Sequence, residues 1–189
     1  MTVLDVLETA SLYLGYREEL DYYFNEDNST TPSDEVQNKF SSLLKALNLT
    51  IEEIATEFKP MYTEETLTFE LGKASLENLT QKVNKIVCVK NKNTFYKFSV
   101  ENGYIVCDGV SGERTVKYSF IPEELTETDD VVFDEEISEK TLALGVCMEF
   151  MFLTNAFDEV SVWEDRFYKS LKNSLRNVGR INMPRRRWL

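Results

Sequence analysis

The chain has no histidine, and only three cysteines, seven glycines and four prolines among its 189 residues. Each shortage removes a class of chemistry. Without an imidazole base, nucleophile–histidine triads are excluded. Cys88, Cys107 and Cys147 are odd in number, sit among apolar residues and share no metal-like spacing. They read as reduced core thiols rather than as disulfide partners or zinc ligands. The glycines make no phosphate-cradling loop, because Gly109 and Gly112 flank a turn between strand-like runs and no helix follows them. No apolar run reaches the roughly 20 residues that a membrane-spanning helix requires. The start, Met-Thr-Val-Leu-Asp, lacks the basic region and apolar stretch of a signal peptide. A cytosolic protein is expected, in which the Asn-x-Thr matches at Asn48 and Asn78 carry no glycosylation.

What is present is a core-forming composition, 42% hydrophobic and 12% aromatic, which argues for one domain or one domain carrying an insertion. The net charge of −12 is unevenly spread. From Arg166 to the end there are eight Lys or Arg and no acid, leaving 13 basic against 33 acidic residues elsewhere, a balance of −20. An acidic body with a basic end is a poor general ligand for nucleic acid, since phosphates repel it, although the end alone can touch phosphate or carboxylate. The acidic pairs Glu52-Glu53, Glu64-Glu65 and Glu123-Glu124 and the triplet Asp134-Glu135-Glu136 read as solvated charge. None accompanies a glycine-rich cradle or a fixed electrophile. No enzyme, cofactor or metal site is expected.

Hydrophobic period divides the chain. Val3, Leu4, Val6, Leu7, Ala10 and Leu14 give a helix from Val3 to Leu14, capped by Thr2, with Asp5 in its first turn and Gly15 as its stop. Tyr16 to Phe24 is aromatic-rich and reads as a short helix or packed loop, and Asn25 to Ser33 as an exposed loop. Thr31-Pro32 restarts a helix, with Thr as cap and Pro at the first helical position. Val36, Phe40, Leu43, Leu44, Leu47, Ile51, Ile54, Ala55 and Phe58 then hold helical period to Pro60. One long helix over 31–59 is favoured over two broken near Asn48. Period two follows: Leu67, Phe69 and Leu71, then Ile86–Val89, then Tyr96, Phe98 and Val100, then Tyr104 to Cys107, then Val116, Tyr118 and Phe120. Asn102-Gly103 between two of these runs is a strong hairpin signal, because a type I′ turn needs positive φ at both positions. From Ser138, a good N-cap, the chain returns to a nearly all-apolar helix and turns through Phe157-Asp158. It then forms an amphipathic helix from Glu159 to Asn177 whose inner stripe is Val160, Trp163, Phe167, Leu171 and Leu175, with Gly179 placed for a left-handed cap.

The fold class predicted is α+β: a mainly helical core with an inserted antiparallel β-meander. Residues 1–64 and 137–178 form the helical core, 65–122 the β insertion, 123–136 an acidic connector and 179–189 a basic C-terminal arm. A free terminus seldom carries Trp and Leu at its tip, so the arm is predicted to dock on a partner. Arg180, Met183, Arg185, Arg186, Arg187, Trp188 and Leu189 are the candidate contact residues, and Pro184 keeps the segment extended. The acidic connector is a candidate acceptor for the basic arm of a neighbour.

Several stretches together resemble the head–tail adaptor (connector) proteins of tailed bacteriophages and prophages. They are the helix Val3–Leu14, Leu43-Leu44-Lys45-Ala46-Leu47-Asn48 with Glu53-Ile54-Ala55-Thr56-Glu57, the insertion with Ile86-Val87-Cys88-Val89, Leu144-Gly145-Val146-Cys147-Met148-Glu149-Phe150, Trp163-Glu164-Asp165-Arg166-Phe167 and the terminal Arg-Arg-Arg-Trp-Leu. The resemblance covers most of the chain and includes no catalytic signature. It implies a non-enzymatic structural protein of the virion neck, assembled in the host bacterial cytoplasm. Such proteins are helical with a β insertion and form a ring, usually of twelve copies, below the portal protein. They join it to a downstream tail or stopper protein and let DNA pass without binding it specifically. An extended arm, here Arg180–Leu189, holds the portal or an adjacent subunit. Two other readings stay open: a nucleic-acid-binding accessory protein using the basic tail, and a small acidic DNA-mimic inhibitor.

Overall fold

A computed structural model describes residues 1–25, 32–131, 133 and 137–175. The fold is α+β, with helices at both ends of the described chain and an antiparallel β region between them. Two compact units result, one from residues 1–47 with the described residues from 126 onward, the other from residues 48–125.

The helical unit opens with α1, Val3–Leu14. The Thr2 backbone N–H donates to Asp5 Oδ2 at 2.8 Å, and the Asp5 N–H donates back to Thr2 Oγ1 at 3.2 Å. The bond from the Thr2 backbone, reinforced by the Thr2 side chain, holds the Asp5 carboxyl below its ordinary value. Gly15, at φ 77°, ends the helix by sending its N–H to Leu12 O, while the Tyr16 N–H reaches Ser11 O at 2.8 Å. One further turn, α2 (Asp21–Phe24), follows, and Tyr23 stacks on Phe40 with ring centroids 3.8 Å apart.

Helix α3 runs Asp34–Glu53 and continues into a π-helical turn, Ile54–Phe58, with no break at Asn48. Its start differs from expectation. Thr31 lies outside the described residues, Pro32 precedes the helix, and the Ser33 hydroxyl accepts the Val36 N–H at 3.4 Å. Its end differs too, for Phe58 is 39% exposed. The wider π turn, closed by Lys59 N–H to Ile54 O at 2.7 Å, rotates Phe58 off the apolar stripe.

Helix α4 (Glu139–Leu153) is the centre of this unit. Ser138 caps it, its hydroxyl accepting the Thr141 N–H at 3.3 Å, and residues 141–148, Phe150 and Met151 are all buried. Both α1 and α5 (Phe157–Ser174) pack against it. Phe157 and Asp158 are already helical, so the turn lies one step earlier than predicted. Asn155 makes it at φ 59°, a left-handed position its short amide side chain tolerates, and the Ala156 N–H bonds Met151 O at 2.9 Å. Thr141 joins α4 to α5 through Ser170 at 2.8 Å, and the Thr9 hydroxyl donates to Glu139. The acidic connector is tied down in part, since the Val3 N–H bonds Asp129 O at 3.0 Å and the Val131 N–H bonds Met1 O at 3.1 Å.

The β unit holds two antiparallel sheets. One has the order β1-β7-β3-β4, from Met61–Phe69, Gly112–Ile121, Lys82–Asn91 and Thr94–Tyr96. The other has the order β2-β6-β5, from Lys73–Ser75, Tyr104–Val106 and Ser99–Glu101. Asn102 (φ 52°) and Gly103 (φ 82°) make the expected hairpin and set Glu101 opposite Tyr104. The run Tyr96–Val100 is two strands rather than one, separated at Lys97-Phe98. Leu71 does not continue the inward stripe of β1. It turns the chain at φ 49° with Gly72 at 81°, and the paired N–H···O bonds of Glu70 and Lys73 (both 2.9 Å) leave its side chain 97% exposed. Leu67, Phe69, Ile86, Val89, Ile105, Val116 and Tyr118 form the shared core.

Candidate interaction surfaces

Arg180, Met183, Arg185, Arg186, Arg187, Trp188 and Leu189, like Gly179, lie outside the described residues. The acidic pairs that can be placed have structural partners or lie in solvent. Glu64 and Glu65 are consecutive in β1 and so point to opposite faces. Glu64 accepts Lys90 Nζ at 2.8 Å, which lowers its carboxyl pKa. Glu65 accepts the Tyr118 hydroxyl and both the N–H and hydroxyl of Thr80, at 3.1 and 3.0 Å. Burial alone would raise the Glu65 pKa, but these bonds outweigh it and leave it lowered. Tyr118 is pushed up to about 12, first by burial and then by its bond to Glu65. Glu123 and Glu124 are exposed. Among the described residues no group of three or more Cys, Asp or Glu is spaced to hold a metal ion, and no helix is long and apolar enough to cross a membrane. Burial raises the thiols of Cys107 and Cys147, the latter to about 12.

A different surface emerges on the helical unit. On α5 the buried stripe is Val160, Phe167 and Leu171, and Trp163, which the apolar period assigned to the same stripe, is only half-buried. Trp163, Arg166, Ser170 and Asn173 recur at three- and four-residue steps and so form a parallel stripe beside it. Lys140 and Leu144, one turn apart on α4, and Tyr13 at the end of α1 complete a groove of about 520 Å³. Tyr13 and Trp163 stack with centroids 6.3 Å apart at 26°, and the Arg166 guanidinium lies 5.3 Å from the centre of the Trp163 ring. Lys169, also on the wall, pairs with Asp165 at 2.5 Å. The groove is lined by two stacked aromatic rings and three cations, in a protein of net charge −12. Sequence reasoning missed it because a tryptophan in phase with a core stripe is normally counted as core. The usable signal was the absence of acids after Asp165, which leaves that helix face cationic.

Asn48, considered in the sequence only as a glycosylation match or a kink, also has a definite place. Its side-chain amide donates to Leu125 O at 3.0 Å and accepts the Leu125 N–H at 2.8 Å, clasping together the two ends of the β unit.

Compared with protein-family models and with curated proteins, the chain matches none.

Proposed function

We propose that this chain is a structural adaptor of the head–tail connector type, without catalytic activity. Copies assemble into a ring, of twelve in the usual arrangement, against a portal protein, with a tail or stopper protein below. The protein resides in the virion neck after assembly in the host cytoplasm. The observation that carries the reading is the separation of charge. A body of balance −20 can surround passing DNA without adhering to it, while eight cations gathered after residue 165 supply an attachment element. In this reading Trp188 and Leu189 anchor the arm, and Arg185, Arg186 and Arg187 pair bidentately with carboxylates at its rim. Arg180 and Met183 lie along the same segment.

The test is electron microscopy of the purified protein, alone and mixed with a portal, for the full chain and for a chain lacking Met183–Leu189. Rings that seat on the portal only when the arm is present are expected. Unchanged portal attachment by the truncated chain would overturn the arm's role, and a protein that stays monomeric with a portal present would overturn the adaptor reading.

A further inference from the structure

We propose that the groove formed by Tyr13, Lys140, Leu144, Trp163, Arg166 and Lys169 is a docking site for an acidic, extended segment of a different protein, one carrying an aromatic or large aliphatic side chain between carboxylates.

The chemistry of the walls selects this occupant. Lys140 has no carboxylate partner among the described residues, and Arg166 is held there by the Trp163 ring alone. Among the described residues two cations therefore face the groove without a carboxylate partner, although the chain carries 33 acids. An exposed cation–π contact is weak, so the guanidinium can turn toward a carboxylate at small cost. The stacked Tyr13 and Trp163 rings and the buried Leu144 give the groove an apolar lining. Trp163 to Asn173 is about 15 Å of helix, the length of about five residues of extended chain. That span fits one apolar side chain against the aromatic rings and a carboxylate on either side.

Other occupants fit less well. The basic arm of this chain would set Arg185–Arg187 against Lys140 and Arg166, like charge on like. The connector of a second copy is acidic, but its Val131 is already buried in its own unit and its Phe133 is partly buried. A nucleic acid strand has phosphates to match the cations and bases to stack on Trp163. Continued past the groove along α5, however, it would meet Asp158, Glu159 and Glu164, all exposed. A short acidic peptide ends before it reaches them.

The inference goes beyond the adaptor reading and does not depend on it. The test uses the full chain with Trp188→Phe, which leaves Trp163 as the sole tryptophan and its fluorescence as the reporter. The probe is the peptide acetyl-Glu-Asp-Phe-Glu-Asp-amide. The comparisons are acetyl-Lys-Arg-Phe-Lys-Arg-amide and a single-stranded oligothymidylate of similar length. A saturable emission change with the acidic peptide alone is expected, weakened by salt and lowered in affinity at least about tenfold by Lys140→Glu with Arg166→Glu. Both side chains are exposed, and should that double variant not fold, Lys140→Gln with Arg166→Gln must still give a clear loss. Equal binding of the basic peptide, tighter binding of the oligonucleotide, no saturation with the acidic peptide, or affinity unmoved by the charge changes would each overturn the proposal. Failure here with portal attachment intact leaves the adaptor reading standing, and the converse result leaves the groove standing.

Discussion

In the helical unit, Leu7, Leu142, Phe167 and Leu171 are withdrawn almost completely from solvent on three different helices. The β unit has three-residue strands in both of its sheets and relies more on polar and backbone fixtures. Tyr118 ties β7 to Glu65 of β1 and accepts the Gln81 N–H at 3.3 Å, Asn48 grips Leu125, and the Cys107 N–H bonds Gly72 O at 2.7 Å. Each unit is therefore vulnerable in its own way. Loss of volume should injure the first, whereas loss of a particular conformation or hydrogen bond should injure the second. Two cysteines report on them separately, since Cys147 is buried in the helical unit and Cys107 in the β unit. Thiol labelling of each, with the half-buried Cys88 replaced by serine, therefore reads the opening of each unit.

The largest effects set a volume change against a backbone change. Phe167→Ala removes a fully buried ring and should cost about 3–5 kcal/mol. Gly72→Ala adds one methyl group, yet that Cβ would lie 2.7 Å from Cys107 O, with the residue held at φ 81°. The overpacking and left-handed strain together should cost about 2–4 kcal/mol. Labelling of Cys147 should accelerate more than that of Cys107 in Phe167→Ala, with the reverse in Gly72→Ala. Equal acceleration of both cysteines in both variants would mean that the two units open as one.

The helical unit was also the more legible in the sequence. Thr2, Gly15 and Ser138 mark helix ends by local chemistry, so those ends are visible without knowing what packs where. The β unit was legible where a turn has its own signal, as at Asn102-Gly103. It was opaque where tertiary structure imposes the turn, because the positive φ of Leu71 is held by the Glu70–Lys73 pairing and has no signature in the residue itself. Register shifts between Val83 and Lys85 and between Ile86 and Cys88 likewise break the alternation of β3, so only Ile86–Val89 of a strand running Lys82–Asn91 was recognised. The aromatic groove was missed for a related reason. Trp163 keeps the helical period, and only the third helix, through Tyr13, shows that it faces a groove. The basic arm, plainest of all in the sequence, rests on charge and composition alone.

A middle-sized effect separates polar fixtures from volume through pH. Tyr118→Phe preserves the ring but removes the hydroxyl, leaving Glu65 Oε1 without its donor, although Oε2 keeps Thr80, and the Gln81 N–H without an acceptor. The cost near neutral pH should be about 1–3 kcal/mol. The phenol pKa is raised in the folded state to about 12, so its contribution is complete below about 10 and is lost as pH rises toward that folded value. Glu65 is lowered below its ordinary 4.5, so its contribution is present above that value and is lost as pH falls through the lower folded one. Urea denaturation of the two proteins should thus show a gap that holds from about pH 5 to 9 and narrows above about 10. A gap that stays constant into the alkaline range would show that the hydroxyl acts by packing rather than through its proton.

The smallest effect has the opposite sign. Leu71 is a γ-branched residue at φ 49° with its side chain 97% exposed, so it bears the left-handed penalty and gains almost nothing from burial. Asparagine tolerates that conformation better, because its short polar side chain can hydrogen-bond locally. The neighbouring Gly72 keeps the second turn position free of a Cβ, and the Glu70–Lys73 bonds that close the hairpin involve backbone only. Leu71→Asn should therefore stabilise the protein by about 0.5–1 kcal/mol. The gain should appear as slower labelling of Cys107, with Cys147 little affected, because the relieved strain belongs to the β unit. A loss of stability would show instead that the exposed leucine makes an apolar contact with another copy in solution. Dependence of the melting temperature on protein concentration, seen with Leu71 and absent with asparagine, would identify that contact.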